Sequence, residues 1–330
     1  MRKLLGKTVL FIGPQFFGYA QDIISELLNE GAEVDFLPDR PFSSALLRAV
    51  TRFQRRLILP FADKFILDSV ERFGRKHYDL IFVVQGEGLS PQTLFRLRRS
   101  FPNARFVWYL WDSLKNKKAL IPNISAFDEC YTFDVGDSKF YGMNFRPLYF
   151  SPGFMHGAVQ NHKYQLSFIG TAHSDRFEIV SNLIKVLPEK TACFWYLYLQ
   201  APWVFWAQKL ANPSFRRASI SNFHFNPMPR EEVQGVFFDS LAILDIEHPG
   251  QTGLTMRTFE AMGAHKKLVT TNALVKDSDF FNPNNILVIE RGSSMKIPDS
   301  FLSSPYTPPS DVIYQKYSLE GWLQDVIYDK

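Results

Sequence analysis

Short apolar runs recur along the chain, each separated from the next by a stretch with helical composition. In the first half such runs occupy residues 8–13, 32–37, 79–84, 104–110, 129–133 and 146–150. Runs of this length with few polar residues are typical of strands buried on both faces of a parallel sheet. Because parallel strands need crossover helices, the alternation predicts an α/β fold with a doubly wound sheet.

The same pattern begins again after a polar stretch at residues 151–163, which has the composition of a linker. The strand-like runs of this second half occupy residues 164–169, 191–199 and 240–246. Residues 201–221, aromatic and then basic, interrupt the pattern and are interpreted as an insertion. The second half therefore repeats the α/β architecture of the first.

A chain of 330 residues is long for one core, because a domain usually comprises about 100–200 residues. We expect an N-terminal Rossmann-like domain at residues 1–155 and a C-terminal one at 156–315. Apolar residues recur at helical spacing over residues 314–328, which predicts a single amphipathic helix. This last segment, assigned to 316–330, either packs back on the N-terminal domain or caps its own.

No apolar run approaches the roughly 18 residues that cross a bilayer, and the basic N-terminus lacks a cleavage site. Cys130 and Cys193 lie far apart without metal-ligand spacing, so neither a disulfide nor zinc is expected. These features predict a cytoplasmic protein. The aromatic residues at 203–206 are assigned to the core, with a sugar-stacking surface or a membrane-facing edge as alternatives.

The net charge of +4 is unevenly distributed, since residues 40–76 contain nine Lys and Arg against three acids. Four of these arginines fall near one helical face: Arg48, Arg52, Arg55 and Arg56. They form either a solvated face or a platform for anionic lipids at the inner face of the cytoplasmic membrane. The chain lacks any recognisable nucleic-acid-binding module, so no nucleic-acid partner is expected.

Residues 247–272 combine a loop, the start of a helix and an apolar strand. The loop supplies two glycines and two hydroxyls, from Gly250, Thr252, Gly253 and Thr255. Glycine lets backbone amides approach a phosphate closely. Arg257 and Glu260 follow on one helical face, where a guanidinium can bind a diphosphate and a carboxylate can accept from ribose hydroxyls. The alternative is an ordinary surface ion pair between these two residues.

The strand that follows ends in small polar residues, as strands do beside the ligand crevice of open α/β sheets. The Gly-rich loop, the arginine and glutamate, and the segment G-A-H-K-K-L-V-T-T-N at residues 263–272 resemble the donor half of GT-B glycosyltransferases. The resemblance is to bacterial polysaccharide and lipopolysaccharide enzymes related to the CgeB-like type. The chain departs from the E-x7-E donor signature, because Glu247 lies thirteen residues before Glu260.

The resemblance implies two Rossmann-like domains facing a central cleft. It also implies transfer of a hexosyl or other glycosyl group from a nucleotide sugar to a cell-surface glycan or glycolipid. The nucleotide sugar would be a co-substrate, and no separate cofactor is expected. Without a D-x-D pattern at a strand end, we expect a metal-independent reaction, with side chains and a helix dipole replacing a divalent ion.

Further donor ligands are expected at the start of the second half and in the donor loop, namely Gly170, Thr171, Arg176 and His248. A catalytic base is expected after a first-domain strand, where Glu87 and Asp112 both lie. Each of these two carboxylates has an alternative role as a helix cap. Gly13 and Gly18 shape the first turn, which the resemblance places on the acceptor side.

Two other functions remain open. An NAD(P)-dependent oxidoreductase is disfavoured because neither half carries G-x-G-x-x-G after its opening strand. A catalytically inactive glycan-binding or scaffold protein is compatible with the same fold, since a fold does not establish an activity.

Overall fold

The computed structural model describes residues 2–40, 55–155, 162–292 and 295–328, with the backbone alone at residues 55–58. It contains two compact units. Unit 1 comprises Met1–Pro147 and Leu319–Lys330, and unit 2 comprises Leu148–Ser318. Every strand pair in the two sheets of the described ranges is parallel. The α/β class predicted from the alternating pattern is therefore confirmed.

Unit 1 is built on a six-stranded sheet in the order β2-β1-β3-β4-β5-β6. Its elements are β1 (Thr8–Gly13), α1 (Tyr19–Asn29), β2 (Glu33–Pro38), α2 (Arg55–Phe73), β3 (Leu80–Val84), α3 (Pro91–Ser100), β4 (Arg105–Leu110), a 3₁₀ helix (Lys118–Ala126), β5 (Glu129–Thr132), α4 (Val135–Tyr141) and β6 (Asn144–Phe145). All residues of β1 and β3 are buried, as expected of central parallel strands covered on both faces.

Unit 2 is built on a five-stranded sheet in the order β11-β10-β9-β7-β8. Its strands are β7 (Tyr164–Thr171), β8 (Cys193–Tyr198), β9 (Ser240–Asp245), β10 (Lys267–Thr270) and β11 (Ile286–Val288). Its α-helices are α5 (Arg176–Val186), α6 (Pro202–Ala211), α7 (Arg230–Phe238), α8 (Met256–Gly263), α9 (Asp299–Ser303) and α10 (Asp311–Lys316). β7 and β9 are adjacent at the centre, so the segments after them meet at one edge of the sheet.

The C-terminal segment predicted as an amphipathic helix is helical but is interrupted at Tyr317 and Ser318. The segment consists of α10, then α11 (Leu319–Leu323), then a π-helical turn (Gln324–Tyr328). The helix breaks here because the Tyr317 carbonyl accepts a hydrogen bond of 2.9 Å from the Phe150 N–H. Beyond the break, Trp322 is fully buried in unit 1, where its ring lies 4.6 Å from that of Tyr109.

Two further expectations are corrected. The strand predicted at residues 146–150 is instead the two-residue β6, because Pro147 has no N–H to donate and Arg146 turns to form an ion pair of 2.6 Å with Asp325.

The aromatic residues at 203–206 are not all in the core. Only Phe205 is buried, with its ring 5.5 Å from that of Phe223, whereas Trp203 and Trp206 on the other side of α6 are exposed.

We predict that Trp322→Ala lowers the free energy of unfolding of unit 1 by about 3–5 kcal/mol, because it leaves a cavity beside Tyr109 and Phe82. Urea unfolding followed by far-ultraviolet circular dichroism measures this loss. The exposed Trp203→Ala is the matched control and should change stability by less than about 1 kcal/mol. Equal effects of the two substitutions would show that the C-terminal segment is not part of this core.

Candidate functional site

Two arginines meet at the carboxyl end of β7. Arg176, the first residue of α5, and Arg257, in the first turn of α8, both lie over the ring of Phe168, at 5.9 and 5.5 Å. A Cβ atom at Gly170 would lie 3.3 Å from Arg176 Nη1 and 3.4 Å from Arg257 Nη2. Glycine at position 170 therefore leaves room for two guanidinium groups side by side.

Backbone carbonyls hold both arginines in place. Arg176 donates to the Ile246 carbonyl at 2.8 Å and to the Thr171 carbonyl at 3.0 Å. Arg257 donates to the Ile169 carbonyl. Burial, followed by repulsion from Arg257, lowers the pKa of Arg176 to about 10. The guanidinium groups are thus preorganised and partly desolvated, which strengthens their attraction for an anion.

The carboxylate that balances this pair is Asp245, the last residue of β9, which is completely buried. It accepts hydrogen bonds from the hydroxyls of Thr255 at 2.9 Å and Thr258 at 3.1 Å. Arg257 contributes an ion pair to it at 3.3 Å. The sequence predicted Thr255 and Arg257 as ligand groups but not the acid that fixes them. Arg176 makes no ion pair with Asp245 among the described residues, and its charge is also offset by the nearby Asp175 and Glu247.

Hydrogen bonds within the loop before α8, and from Asn272, hold that loop in place. The Gly250 N–H donates to His248 Nδ1 at 3.2 Å, and the Gly253 carbonyl accepts from Asn272 Nδ2 at 3.2 Å. Neither Gly250 nor Gly253 has a positive φ, so the left-handed freedom expected of them is not used. The rings of His248 and His173 lie 5.7 Å apart. Thr252 lies within the same loop.

A second network, which the sequence did not reveal, surrounds Glu247. Arg291 donates to Glu247 Oε1 and to the Glu247 carbonyl, each at 2.8 Å, and it also pairs with Asp175. Thr271, which follows β10, donates to the same carboxylate. Glu247 is therefore a buried acid that joins three segments at this edge of the sheet. Glu260, the fifth residue of α8, is also buried, at 5% exposure.

In unit 1 the predicted bases lie in an ion-pair cluster at the carboxyl ends of β3 and β4. Glu87 pairs with Lys117 and, at 3.4 Å, with Arg40. Lys117 also lies 3.5 Å from Asp112, whose side chain is 40% exposed. Burial raises the pKa of Asp112 above its usual range, with Glu87 adding to the shift and Lys117 opposing it. Neither carboxylate begins a helix, so the alternative of helix capping is not what the structure shows.

Asp39, immediately after β2, is an acid that the sequence reasoning missed. It is 1% exposed, and its Oδ2 accepts from the Glu87 N–H at 3.2 Å. Gly88 is required beside it, because a Cβ there would lie 2.1 Å from the Asp39 carbonyl oxygen. Burial, opposed by Arg40, raises the pKa of Asp39 to about 6. An aspartate directly after an apolar strand was the available signal.

The backbone is strained at Gln85, two residues before Glu87, whose N–H binds Asp39. Gln85, at the end of β3, has φ of 63° although it is not glycine, and it is 4% exposed. Neither polar atom of its side chain has a hydrogen-bond partner among the described residues. Strained and unsatisfied residues concentrate at functional sites, because packing elsewhere must maintain them.

The predicted acceptor-side loop leads into an aromatic group. Gly13 ends β1, and Gly18 precedes α1 with φ of 76°. The rings of Phe16, Tyr19 and Trp111 contact one another at centroid distances of 5.6–5.8 Å. Trp111 directly precedes Asp112, so the structure brings an aromatic surface beside one of the predicted bases.

The structure describes only part of the arginine patch that was predicted to bind a membrane. Arg48 and Arg52 lie outside the described residues, and the side chains of Arg55 and Arg56 are not described although both lie in α2. None of the helices in the described ranges is both long and apolar enough to traverse a bilayer. Among the same residues, no group of three His, Cys, Asp or Glu side chains is placed to hold a metal ion.

No protein-family model matches this sequence, and no curated protein matches it significantly. The fold is similar to that of Alr3699/HepE from Anabaena. Its complex with UDP-glucose aligns over 97% of this chain and 98% of that chain, with a TM-score of 0.59 and 12% identity. Its complex with UDP and glucose aligns over the same shares, with a TM-score of 0.57 and 13% identity. The likeness confirms the two-domain α/β fold with two parallel sheets.

We predict that Asp39→Asn removes a pH dependence from the stability of unit 1. The folded protein holds the Asp39 proton up to about pH 6, whereas the unfolded chain releases it near 3.8. As pH rises between these values, this group lowers the free energy of unfolding of the wild type. From about pH 4 to about pH 7, the stability of Asp39→Asn relative to wild type should rise by about 2–3 kcal/mol.

Urea unfolding at a series of pH values measures this difference. Asp311→Asn, at an exposed carboxylate, is the control and should leave the pH dependence unchanged. A relative stability that stays flat between pH 4 and pH 7 would contradict the assignment of a raised pKa to Asp39.

Proposed function

We propose that this protein is a GT-B glycosyltransferase that moves a sugar from a nucleotide-sugar donor to a hydroxyl acceptor. The observation that carries the proposal is the pair of guanidinium groups of Arg176 and Arg257, which lie together over the ring of Phe168 at the carboxyl edge of a parallel sheet. Fold similarity to a protein solved with UDP-glucose supports a uridine diphosphate sugar as the first donor to test.

The donor site lies in unit 2. Departure of a nucleoside diphosphate builds negative charge on its β-phosphate, and fixed guanidinium groups stabilise that charge without reorganising. Arg257 and Arg176 take this role, with the hydroxyls and amides of the 250–255 loop beside them. Glu260, three residues after Arg257 in α8, accepts hydrogen bonds from the ribose hydroxyls.

The acceptor site lies in unit 1. Glu87 is held between two cations, which favour its charged form and weaken it as a base. Asp112 is more exposed and has a raised pKa, so it is the better proton acceptor. Phe16 and Trp111 provide a surface on which a sugar ring can stack. A cell-surface glycan or glycolipid is the acceptor class we propose.

The reaction is proposed to need no divalent metal, because the arginine pair supplies positive charge where a metal would otherwise act. Activity that persists in the presence of a chelator is the expected result.

We further propose a cytoplasmic enzyme that works close to the membrane, with Arg48, Arg52, Arg55 and Arg56 facing anionic lipids.

We predict that one nucleoside diphosphate raises the melting temperature of the purified protein within a panel of UDP, GDP, CMP, ADP, TDP and NAD. Glu260→Gln and Arg257→Lys should each weaken binding of that nucleotide roughly tenfold. Glu260→Gln loses a charged acceptor for the ribose hydroxyls, and Arg257→Lys loses the bidentate hydrogen bond to the diphosphate. Isothermal titration calorimetry measures both affinities.

Glu290→Gln, at an exposed position, is the matched control and should bind like the wild type. A response to NAD alone would support the oxidoreductase. Glycan binding that is indifferent to Glu260→Gln, with no nucleotide-sugar turnover, would support the inactive scaffold.

We predict that Asp112→Asn lowers kcat about 10²- to 10⁴-fold with little change in nucleotide affinity. The base must be deprotonated to act, and its pKa is raised. The activity of the wild type should therefore fall with acidification at a pH above the usual range for aspartate. Initial rates across pH measure both effects, and a wild-type pH profile retained by the variant would contradict this role.

A further inference from the structure

Helix α6 presents an apolar face to solvent. The exposed residues of this ten-residue helix are Pro202, Trp203, Trp206, Ala207, Leu210 and Ala211, and none of them is polar. Trp203 is 70% exposed, Trp206 is 57% exposed and Leu210 is 91% exposed. Their spacing of three and four residues places them on one side of the helix. We call these six residues the α6 face.

This pattern is the reverse of an ordinary surface helix, whose apolar stripe faces the core. The one charged side chain of α6 is turned away from the α6 face: Lys209 donates to the Ala218 carbonyl at 2.8 Å and lies 5.4 Å from the ring of Phe205. Phe205, at 1% exposure, and the partly buried Val204 anchor the helix in the core. A contiguous apolar surface with two tryptophans is typical of an interaction site.

The charge around α6 indicates its partner. Residues 191–230 contain no Asp or Glu and four cations, which are Lys209, Arg216, Arg217 and Arg230. Arg216 and Arg217 are exposed in the segment after α6, as is Ile220. An apolar face followed along the chain by exposed cations is complementary to a bilayer with anionic headgroups, where both interactions act together.

The dimensions of α6 fit a helix lying in the plane of the bilayer surface. At 1.5 Å per residue its ten residues extend about 15 Å, half the thickness of the hydrocarbon core. Tryptophan prefers the boundary between headgroups and acyl chains, where its ring is apolar and its N–H meets water.

We propose that the α6 face is a membrane-binding surface that inserts its tryptophans among the headgroups of an anionic bilayer. The surface belongs to unit 2 and is separate from the basic segment at residues 40–76 in unit 1. Arg216 and Arg217 bind the anionic headgroups, and Trp203, Trp206 and Leu210 enter the upper acyl region. This binding does not depend on the proposed transferase reaction.

Sedimentation with phosphatidylcholine vesicles, with and without phosphatidylglycerol, tests the proposal on the full chain. We expect wild-type protein to bind the anionic vesicles at low salt and to release them at high salt. The double variant Trp203→Ser with Trp206→Ser should reduce the partition coefficient at least tenfold. The double variant Arg216→Gln with Arg217→Gln should remove most of the preference for anionic vesicles.

Phe140→Ser is the matched control, because Phe140 is 80% exposed but lies in unit 1. It should bind vesicles like the wild type, and all variants should keep the wild-type melting temperature. Absence of wild-type binding at low salt, or equal binding by the tryptophan variant, would overturn the proposal. So would concentration-dependent self-association that the tryptophan variant abolishes, since a second copy would then cover the α6 face.

Discussion

The buried carboxylate of Asp245 determines how the edge of the unit 2 sheet is organised. It ends β9, binds the hydroxyls of Thr255 and Thr258, and pairs with Arg257. An isolated charge at this depth would be strongly unfavourable, so the carboxylate and its partners have to be placed together. The start of α8 is thereby tied to β9, and the guanidinium of Arg257 is directed to β7 beside that of Arg176. The proposed donor site is a consequence of compensating this one charge.

Charged side chains gather after the strands of both sheets. In unit 2, Arg176 and Arg257 lie together over Phe168, with Asp245, Asp175 and Glu247 as the nearby acids. In unit 1 the acids Asp39, Glu87 and Asp112 outnumber the cations around them, and two of these acids have raised pKa values. A group-transfer reaction needs positive charge at the leaving group and a proton acceptor at the nucleophile. The proposed roles assign the first need to the arginines of unit 2 and the second to the acids of unit 1.

Most strands could be predicted from the sequence, because full burial in a parallel sheet requires continuous apolar runs such as those of β1 and β3. What failed depends on contacts between distant segments. The break after α10 follows from the backbone pairing of Tyr317 with Phe150, which helical periodicity does not encode. Site prediction has the same limit. The sequence placed Arg257 and Thr255 together after a glycine loop, whereas it put Asp245 inside a predicted strand and Asp39 just after one, and their partners are set only by the fold.

Unit 1 is made from two separate segments of the chain. Unit 2 is one continuous segment, Leu148–Ser318, whereas unit 1 combines Met1–Pro147 with Leu319–Lys330. Trp322 fills the core beside Tyr109, and Asp325 pairs with Arg146. During synthesis the first sheet emerges early but lacks these contacts until all of unit 2 has been made. The domain that begins first is therefore completed last, and its open side is exposed to chaperones throughout that interval.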